Sequence, residues 1–339
     1  MGETLPLVVL WMEEEPLQCG LDTARIEAAG GVYRVVPCAT DAERIAAARD
    51  ATVLIVGAAP IGPELLKHAE CCRGVIRCGI GYDCVDVAAA TEQGICVANV
   101  PGYCVRDVAE YVIGMLFAVR RRICLADRSV RDGRWREVFA EIKPMRRVIG
   151  STLGLVGYGR IGREVAQLAA GLGMRVIAYD PYVPKNSAGD RLAELVDFDE
   201  LLSRSDVVSI HVPLTPETRG LFGKEAIARM KPGAILINTA RGGIVDEQAL
   251  ADALNSGHLD GAAVDVFEQE PPAPDHPFWS CRRAVFGPHA ASATYEADSI
   301  LRESIADQVV ELLSGAPPRH LLNPEVLSHP RCRVRPAGD

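Results

Sequence analysis

Three residues of complementary chemistry follow short apolar runs in the last third of the chain. His289, in Gly287-Pro288-His289-Ala290-Ala291, offers an imidazole, the side chain that exchanges a proton near neutral pH. Glu270, in Phe267-Glu268-Gln269-Glu270-Pro271-Pro272, can bond to that ring and favour its charged form. Arg241, in Asn238-Thr239-Ala240-Arg241-Gly242-Gly243, carries a fixed guanidinium fork suited to a carboxylate and a carbonyl. Such a set can hold an acidic substrate and hand a proton to a developing alkoxide. Taken singly, each is as readily an exposed loop histidine, a helix-flanking glutamate or a surface arginine.

A second constellation points to a phosphate-bearing cofactor. The run Thr152–Val156 leads into Gly157-Tyr158-Gly159-Arg160-Ile161-Gly162 and then at once into helical spacing. A lone GxGxxG is weak evidence, but this one lies between strand and helix, where it has to lie to work. The first glycine permits the tight turn, the second lets the backbone approach a pyrophosphate, and the third lets helix and strand pack closely. Asp180 ends the next apolar run, where a carboxylate accepts bonds from an adenosine ribose and repels a 2′-phosphate. The pattern therefore favours NAD over NADP.

These residues need elements to carry them. Short β-rich runs recur at Leu7–Met12, Val32–Pro37, Thr52–Gly57, Gly74–Gly79 and Ile95–Val100, separated by helical spacing. Continuous apolar strands alternating with helices predict a parallel sheet covered on both faces. A longer helical pattern, Val105 to Arg131, is read as one helix that leaves this first domain and helps to pair subunits. A second series of about six strands begins at Thr152 and runs through Arg175–Tyr179, Val207–Val212, Ala234–Asn238, Gly261–Val264 and Ala284–Phe286. Asp180, His211, Arg241, Asp265 and His289 stand at or just beyond the ends of its strands, where an open parallel sheet binds ligands. The last pattern, Glu296 to Ser314, has no partner strand and is expected to return to the first domain.

Bulk properties narrow the choice. At 339 residues, 48% hydrophobic and 24% charged, the chain suits two globular domains. Its net charge of −9 argues against a sequence-independent nucleic-acid binder. No apolar stretch reaches membrane-spanning length, and Met1–Leu10 lacks the basic start of a secretory signal, so a cytoplasmic location is expected. The 11 cysteines show no zinc-ligand spacing and are read as reduced, buried small hydrophobes. Glu13-Glu14-Glu15, Arg120-Arg121-Arg122 and Arg146-Arg147 are read as solvated charges, and Trp135 as lining either a subunit interface or the cleft.

Val156-Gly157-Tyr158-Gly159-Arg160-Ile161-Gly162, Asn238-Thr239-Ala240-Arg241-Gly242-Gly243, Val264-Asp265-Val266-Phe267-Glu268-Gln269-Glu270-Pro271 and Pro288-His289-Ala290-Ala291 resemble the signatures of the D-isomer-specific 2-hydroxyacid dehydrogenase family. Tyr179-Asp180-Pro181-Tyr182-Val183-Pro184 and Asn323-Pro324-Glu325-Val326-Leu327 are most similar to the branch containing the C-terminal binding proteins. The resemblance implies two doubly wound α/β domains: a Rossmann NAD-binding domain, residues 104–291, inserted into a flavodoxin-like substrate domain, residues 1–103 and 292–339. It implies a homodimer and hydride transfer between nicotinamide and C2 of a small 2-hydroxy or 2-oxo acid. Arg241, Glu270 and His289 become the catalytic three. Cofactor contacts are implied for Gly157, Tyr158, Gly159, Arg160, Ile161 and Gly162, for Asp180, His211, Val212 and Pro213, for Thr239, Ala240 and Arg241, and for Asp265 and His289. Asp265 would hold the nicotinamide carboxamide. Arg77, Gly79, Ile80 and Gly81 look like the substrate loop, with the Ile80 and Gly81 amides on the substrate carboxylate beside Arg241 and His289. The 2-oxo acid is expected between the domains, with hinges near Val100–Tyr103 and Ala291–Thr294.

Three rival readings compete with this one. A cofactor-sensing corepressor of the C-terminal binding protein type carries a Trp shortly after the histidine, where this chain reads Ala290-Ala291-Ser292-Ala293-Thr294. Formate dehydrogenases pair the histidine with Gln rather than Glu270. Phosphite dehydrogenases place Lys where this chain has Ile80.

Overall fold

The computed structural model describes residues 7–12, 20–184 and 192–335. Glu13-Glu14-Glu15 lie outside the described residues. The chain divides into two compact units, Met1–Tyr103 with Thr294–Asp339, and Cys104–Ala293.

Five parallel strands build the first unit: β1 (Leu7–Trp11), β2 (Gly31–Val35), β3 (Ala51–Val56), β4 (Gly74–Arg77) and β5 (Cys96–Ala98). Their order is β2-β1-β3-β4-β5, the flavodoxin-like winding. β3 reads Ala-Thr-Val-Leu-Ile-Val and is buried at all six positions, as a strand covered on both faces must be. Helices start where a side chain can cap them. Thr40 and Glu43 form a capping box before Asp41–Ala48, and Asp86 caps Val87–Glu92.

The helix Tyr295–Leu313 packs on this sheet, so the C-terminal segment does return to the first unit. It lies so close that a Cβ on Gly74 would fall 2.6 Å from Leu312, and one on Gly31 2.7 Å from Leu313. The segment beyond is fastened by Asn323, which is wholly buried. Its Oδ1 accepts from the Val97 amide at 2.8 Å, and its Nδ2 donates to Thr91 Oγ1 and the Ile95 carbonyl at 2.8 and 3.0 Å.

The second unit holds seven parallel strands: β6 (Thr152–Val156), β7 (Arg175–Tyr179), β8 (Glu194–Leu195), β9 (Val207–Ile210), β10 (Ile235–Asn238), β11 (Gly261–Val264) and β12 (Ala284–Phe286). The order β12-β11-β10-β9-β6-β7-β8 is a dinucleotide-binding sheet extended by one strand, with its switch point between β6 and β9. The strand beyond the expected six, β8, has two residues and no periodicity to read.

Two expectations are corrected. The helical pattern from Val105 is not one helix: it ends at Arg120, Arg122 turns left-handed at φ +55°, and a separate helix runs Ile123–Arg131. Nor are Arg120 and Arg122 solvated, at 1% and 4% exposed, although Arg121 between them is exposed. The helix passes the N-terminal ends of β9 and β11, where Arg120 donates to the Asp206 carbonyl at 3.1 Å and Arg122 to the Asp260 carbonyl at 2.9 Å. Those bonds turn two charges inward and break the helix between them. None of the ten described cysteines is in a disulfide, and seven are buried. Among the described residues no helix is long and apolar enough to cross a membrane.

Asn323→Ala leaves the Val97 amide and Ile95 carbonyl unpaired in the core, so the unfolding free energy falls by about 2–4 kcal/mol. A urea titration followed by circular dichroism reads this as a lowered midpoint.

Candidate active site

At the switch point β6 passes into the glycine turn. Gly157 has φ +98°, and a Cβ there would sit 2.7 Å from the His211 backbone at the end of β9. Only glycine permits that crossing. A Cβ on Gly162 would lie 2.3 Å from the Gly157 carbonyl, so this glycine lets the helix Arg160–Gly171 start hard against the turn. Gly159 differs: nothing lies within 4 Å of where its Cβ would be. That open space beside a twelve-residue helix's first turn suits a diphosphate. The Asp180 carboxylate accepts from the Tyr158 amide at 2.8 Å and the Tyr182 amide at 2.9 Å, which fixes it at the end of β7 beside the glycine turn.

His211 follows β9, its Nε2 2.9 Å from the buried Ser209 Oγ. Burial pushes its imidazole down to about 4, so the ring is neutral at physiological pH. Val212 and Pro213 continue that loop, where Thr218 Oγ1 donates to the Pro213 carbonyl at 2.6 Å. At the end of β10 the Thr239 hydroxyl is buried without a partner among the described residues. The second unit thus offers a dinucleotide a bare turn, a fixed carboxylate and an unsatisfied hydroxyl, and the residues fit NAD.

The acid–base group assembles at the neighbouring strand ends. His289 Nδ1 lies 2.7 Å from Glu270 Oε2, and both side chains keep partial access to solvent. Burial alone would raise the Glu270 carboxyl. The bond from His289, the Phe267 amide donating to Oε1 at 2.9 Å, and the charges of His289 and Arg241 outweigh it and hold the group below the usual carboxylate range. The Arg241 charge thus reaches the Glu270 carboxylate. Its loop is shaped by Asn238, whose Nδ2 donates to the Arg241 carbonyl at 2.9 Å and whose Oδ1 accepts from the Ala240 amide at 3.0 Å. Asp265, at the end of β11, is fully buried. Its carboxylate accepts from Tyr111 and from the amides of Ala290 and Ala291.

In the first unit the loop after β4 carries Gly79 at φ +144°. The Arg77 guanidinium folds over it and donates to the Cys78 carbonyl at 3.0 Å. Asn99 Nδ2 donates to the Ile80 carbonyl at 2.7 Å, and the Val100 amide to the Gly79 carbonyl at 3.0 Å. The amides of Ile80 and Gly81 have no protein acceptor among the described residues.

Comparison with known proteins agrees with this geometry. Residues 113–291 match the model of the D-isomer specific 2-hydroxyacid dehydrogenase family, NAD binding domain. The glyoxylate reductase of Korarchaeum cryptofilum is 42% identical over 280 residues, 82% of this chain and 83% of that protein. The chain belongs to the D-isomer-specific 2-hydroxyacid dehydrogenase family. The D-3-phosphoglycerate dehydrogenase of Archaeoglobus fulgidus is 43% identical over 264 residues, 78% of this chain and 49% of that protein. The chain thus spans about half the length of that relative. The solved structure of the TT0316 protein from Thermus thermophilus superposes with a TM-score of 0.84 at 35% identity, covering 93% of this chain and all of that one. Relatives named as dehydrogenases and reductases do not favour the corepressor reading, and none of these places the chain in the C-terminal binding protein branch.

Two residues that shape the strand ends here escape a reading by type and spacing. Asn238 shapes the arginine loop from inside a recognised motif. Tyr111 sits within a helix whose apolar stripe reads as core, and no local signal marks its hydroxyl.

The cofactor fit has a direct check in two glycines. Gly159→Ala is expected to keep the wild-type melting temperature yet bind NADH at least tenfold more weakly by fluorescence titration, because its methyl group fills space that the protein leaves open. Gly162→Ala is expected to lower both, since its methyl group strikes the Gly157 carbonyl.

Proposed function

We propose that this chain is an NAD-dependent D-2-hydroxyacid dehydrogenase that reduces a small 2-oxo acid at C2 and runs the reverse oxidation. The observation that carries the reading is the 2.7 Å pair of His289 and Glu270 under the charge of Arg241, at the strand ends of a dinucleotide-binding sheet. Asp180 beside the glycine turn supports NAD over NADP. Gly157, Tyr158, Gly159, Arg160, Ile161 and Gly162, with His211, Val212, Pro213, Thr239 and Ala240, are assigned to the cofactor, and Asp265 to its carboxamide. Bound there, nicotinamide supplies or accepts the hydride.

The protein's own residues do the rest. Substrate binding is assigned to the Ile80 and Gly81 amides of the first unit, with Gly79 giving the loop its shape and Arg77 folded over it, and to Arg241 of the second. The Arg241 guanidinium also polarises the 2-oxo carbonyl. His289, protonated, donates to the oxygen that becomes the hydroxyl, and Glu270, bonded to Nδ1, keeps the ring turned. In oxidation the neutral ring takes that proton back.

Kinetics on 2-oxo acids of graded size and charge, from glyoxylate upward, test the class. A protein that reduces none of them with NADH overturns it. His289→Ala is expected to lose about 10²–10⁴-fold in kcat, the usual worth of a positioned acid. Glu270→Gln is expected to lower kcat about tenfold, because a neutral amide replaces the carboxylate that lies 2.7 Å from His289 Nδ1.

We also propose a homodimer in the cytoplasm. Trp135 and Ile149 are 69% and 73% exposed, and Ile123, Val130 and Phe139 on the same stretch are exposed too. A run of large apolar groups of this kind suits a second copy of the chain. Ten described cysteines without a disulfide suit a reducing compartment. Trp135→Glu is expected to shift the mass in light scattering from dimer towards monomer.

A further inference from the structure

His289 occupies a conformation that residues with a Cβ rarely adopt. Its φ is +58°, in the left-handed region that L-residues keep only in turns that enforce it. Asp265 enforces it. The His289 amide donates to the Asp265 carbonyl at 2.7 Å, the Ala290 amide to Oδ1 at 3.1 Å and the Ala291 amide to Oδ2 at 2.9 Å. One aspartate thus grips the backbone at the histidine and at the two residues after it.

A fully buried carboxylate needs every donor it can find. Besides the two amides, the side-chain donor it has is Tyr111, whose hydroxyl lies 3.0 Å from Oδ1. Tyr111 projects from the helix Val105–Arg120, the first helix of this unit, and nothing in the catalytic motifs requires it. Burial first, then the charge of Asp265 and the bond to it, push the phenol up to about 12, so it keeps its proton and remains a donor throughout the working range. The fit is close. A Cβ on Gly287 would fall 2.1 Å from Asp265 Oδ1 and 2.3 Å from Tyr111 Oη, so the two groups meet over a bare backbone.

We propose that Tyr111 is a positioning residue for the acid–base step: its hydroxyl fixes the Asp265 carboxylate, and the carboxylate holds the left-handed turn that aims the His289 ring. The inference deepens the dehydrogenase reading and, for its catalytic consequence, rests on it. Without the hydroxyl, Oδ1 keeps one donor, the amide bonds slacken and His289 samples ordinary backbone angles. The ring then spends less time in bonding distance of Glu270.

Tyr111→Phe removes the hydroxyl and little else. Two readouts decide the matter. Amide exchange at Ala290 and Ala291, followed by NMR on the intact chain, should speed at least tenfold, while amides of β6 keep wild-type rates. In turnover with a 2-oxo acid and NADH, kcat should fall about tenfold with KM for the acid within twofold, a split that general loosening of the unit would not give. Exchange rates at both alanines within twofold of wild type overturn the proposal. So does faster exchange with an unchanged kcat, because the grip would then not aim the ring. A wild-type protein that reduces no 2-oxo acid defeats the dehydrogenase reading alone, and the exchange measurement still decides whether Tyr111 holds the turn.

Discussion

A hydrogen bond of 2.7 Å between Glu270 and His289 has to be assembled from two loops that the chain reaches by different strands, and much of the second unit serves that distance. β11 ends at Asp265 and feeds the loop carrying Glu270, while β12 leads to His289. Each loop is held from several sides. The Phe267 amide donates to Glu270 at 2.9 Å, and Gly242 packs so tightly under the Phe267–Glu268 peptide that a Cβ there would lie 1.9 Å away. Glu247 accepts from the Glu268 amide at 2.9 Å and lies 2.8 Å from His276 Nε2, whose ring joins Phe267, Phe278, Trp279 and Phe286 in one aromatic group. A carboxylate anchored in this way loses little freedom when it bonds the imidazole, and preorganisation of that kind is what electrostatic catalysis requires.

What the chain makes legible in advance follows from the range of the signals. β3 and all strands of the second sheet except β8 announce themselves because a strand buried on both faces reads as a nearly continuous apolar run. The glycine turn is readable because each glycine has its own steric reason, and these appear as three different surroundings at Gly157, Gly159 and Gly162. The set of His289, Glu270 and Arg241 follows from type and motif. That His289 and Glu270 bond directly is a fact of packing that spacing alone does not contain.

What stays hidden in the sequence shares one cause. Arg120 and Arg122 look like solvated charges in any local window, since nothing nearby reveals that Asp206 and Asp260 will stand at the foot of β9 and β11. The long pattern after Val105 is broken by the same long-range partners: Arg122 turns left-handed where its guanidinium reaches Asp260. Tyr111 is concealed for a related reason. Its ring satisfies the apolar stripe, and only the hydroxyl's distant partner tells it apart from a core aromatic.

The second sheet therefore uses buried charge in opposite ways at its two edges. At the N-terminal edge Asp206 accepts from Lys231 at 2.6 Å and from the Thr152 amide at 2.9 Å, and the arginines close the remaining carbonyls. Those charges meet charges, and the result is a brace. At the C-terminal edge Asp265 is met by amides and a phenol, all neutral donors, so its charge is held without being cancelled by a cation. A carboxylate in that state fixes backbone geometry next to the imidazole and leaves Glu270 as the acid that bonds the ring directly. The division of charged and neutral partners thus separates a brace at the start of the strands, where Lys231 meets Asp206, from a backbone clamp at their ends, where Asp265 holds the turn at His289.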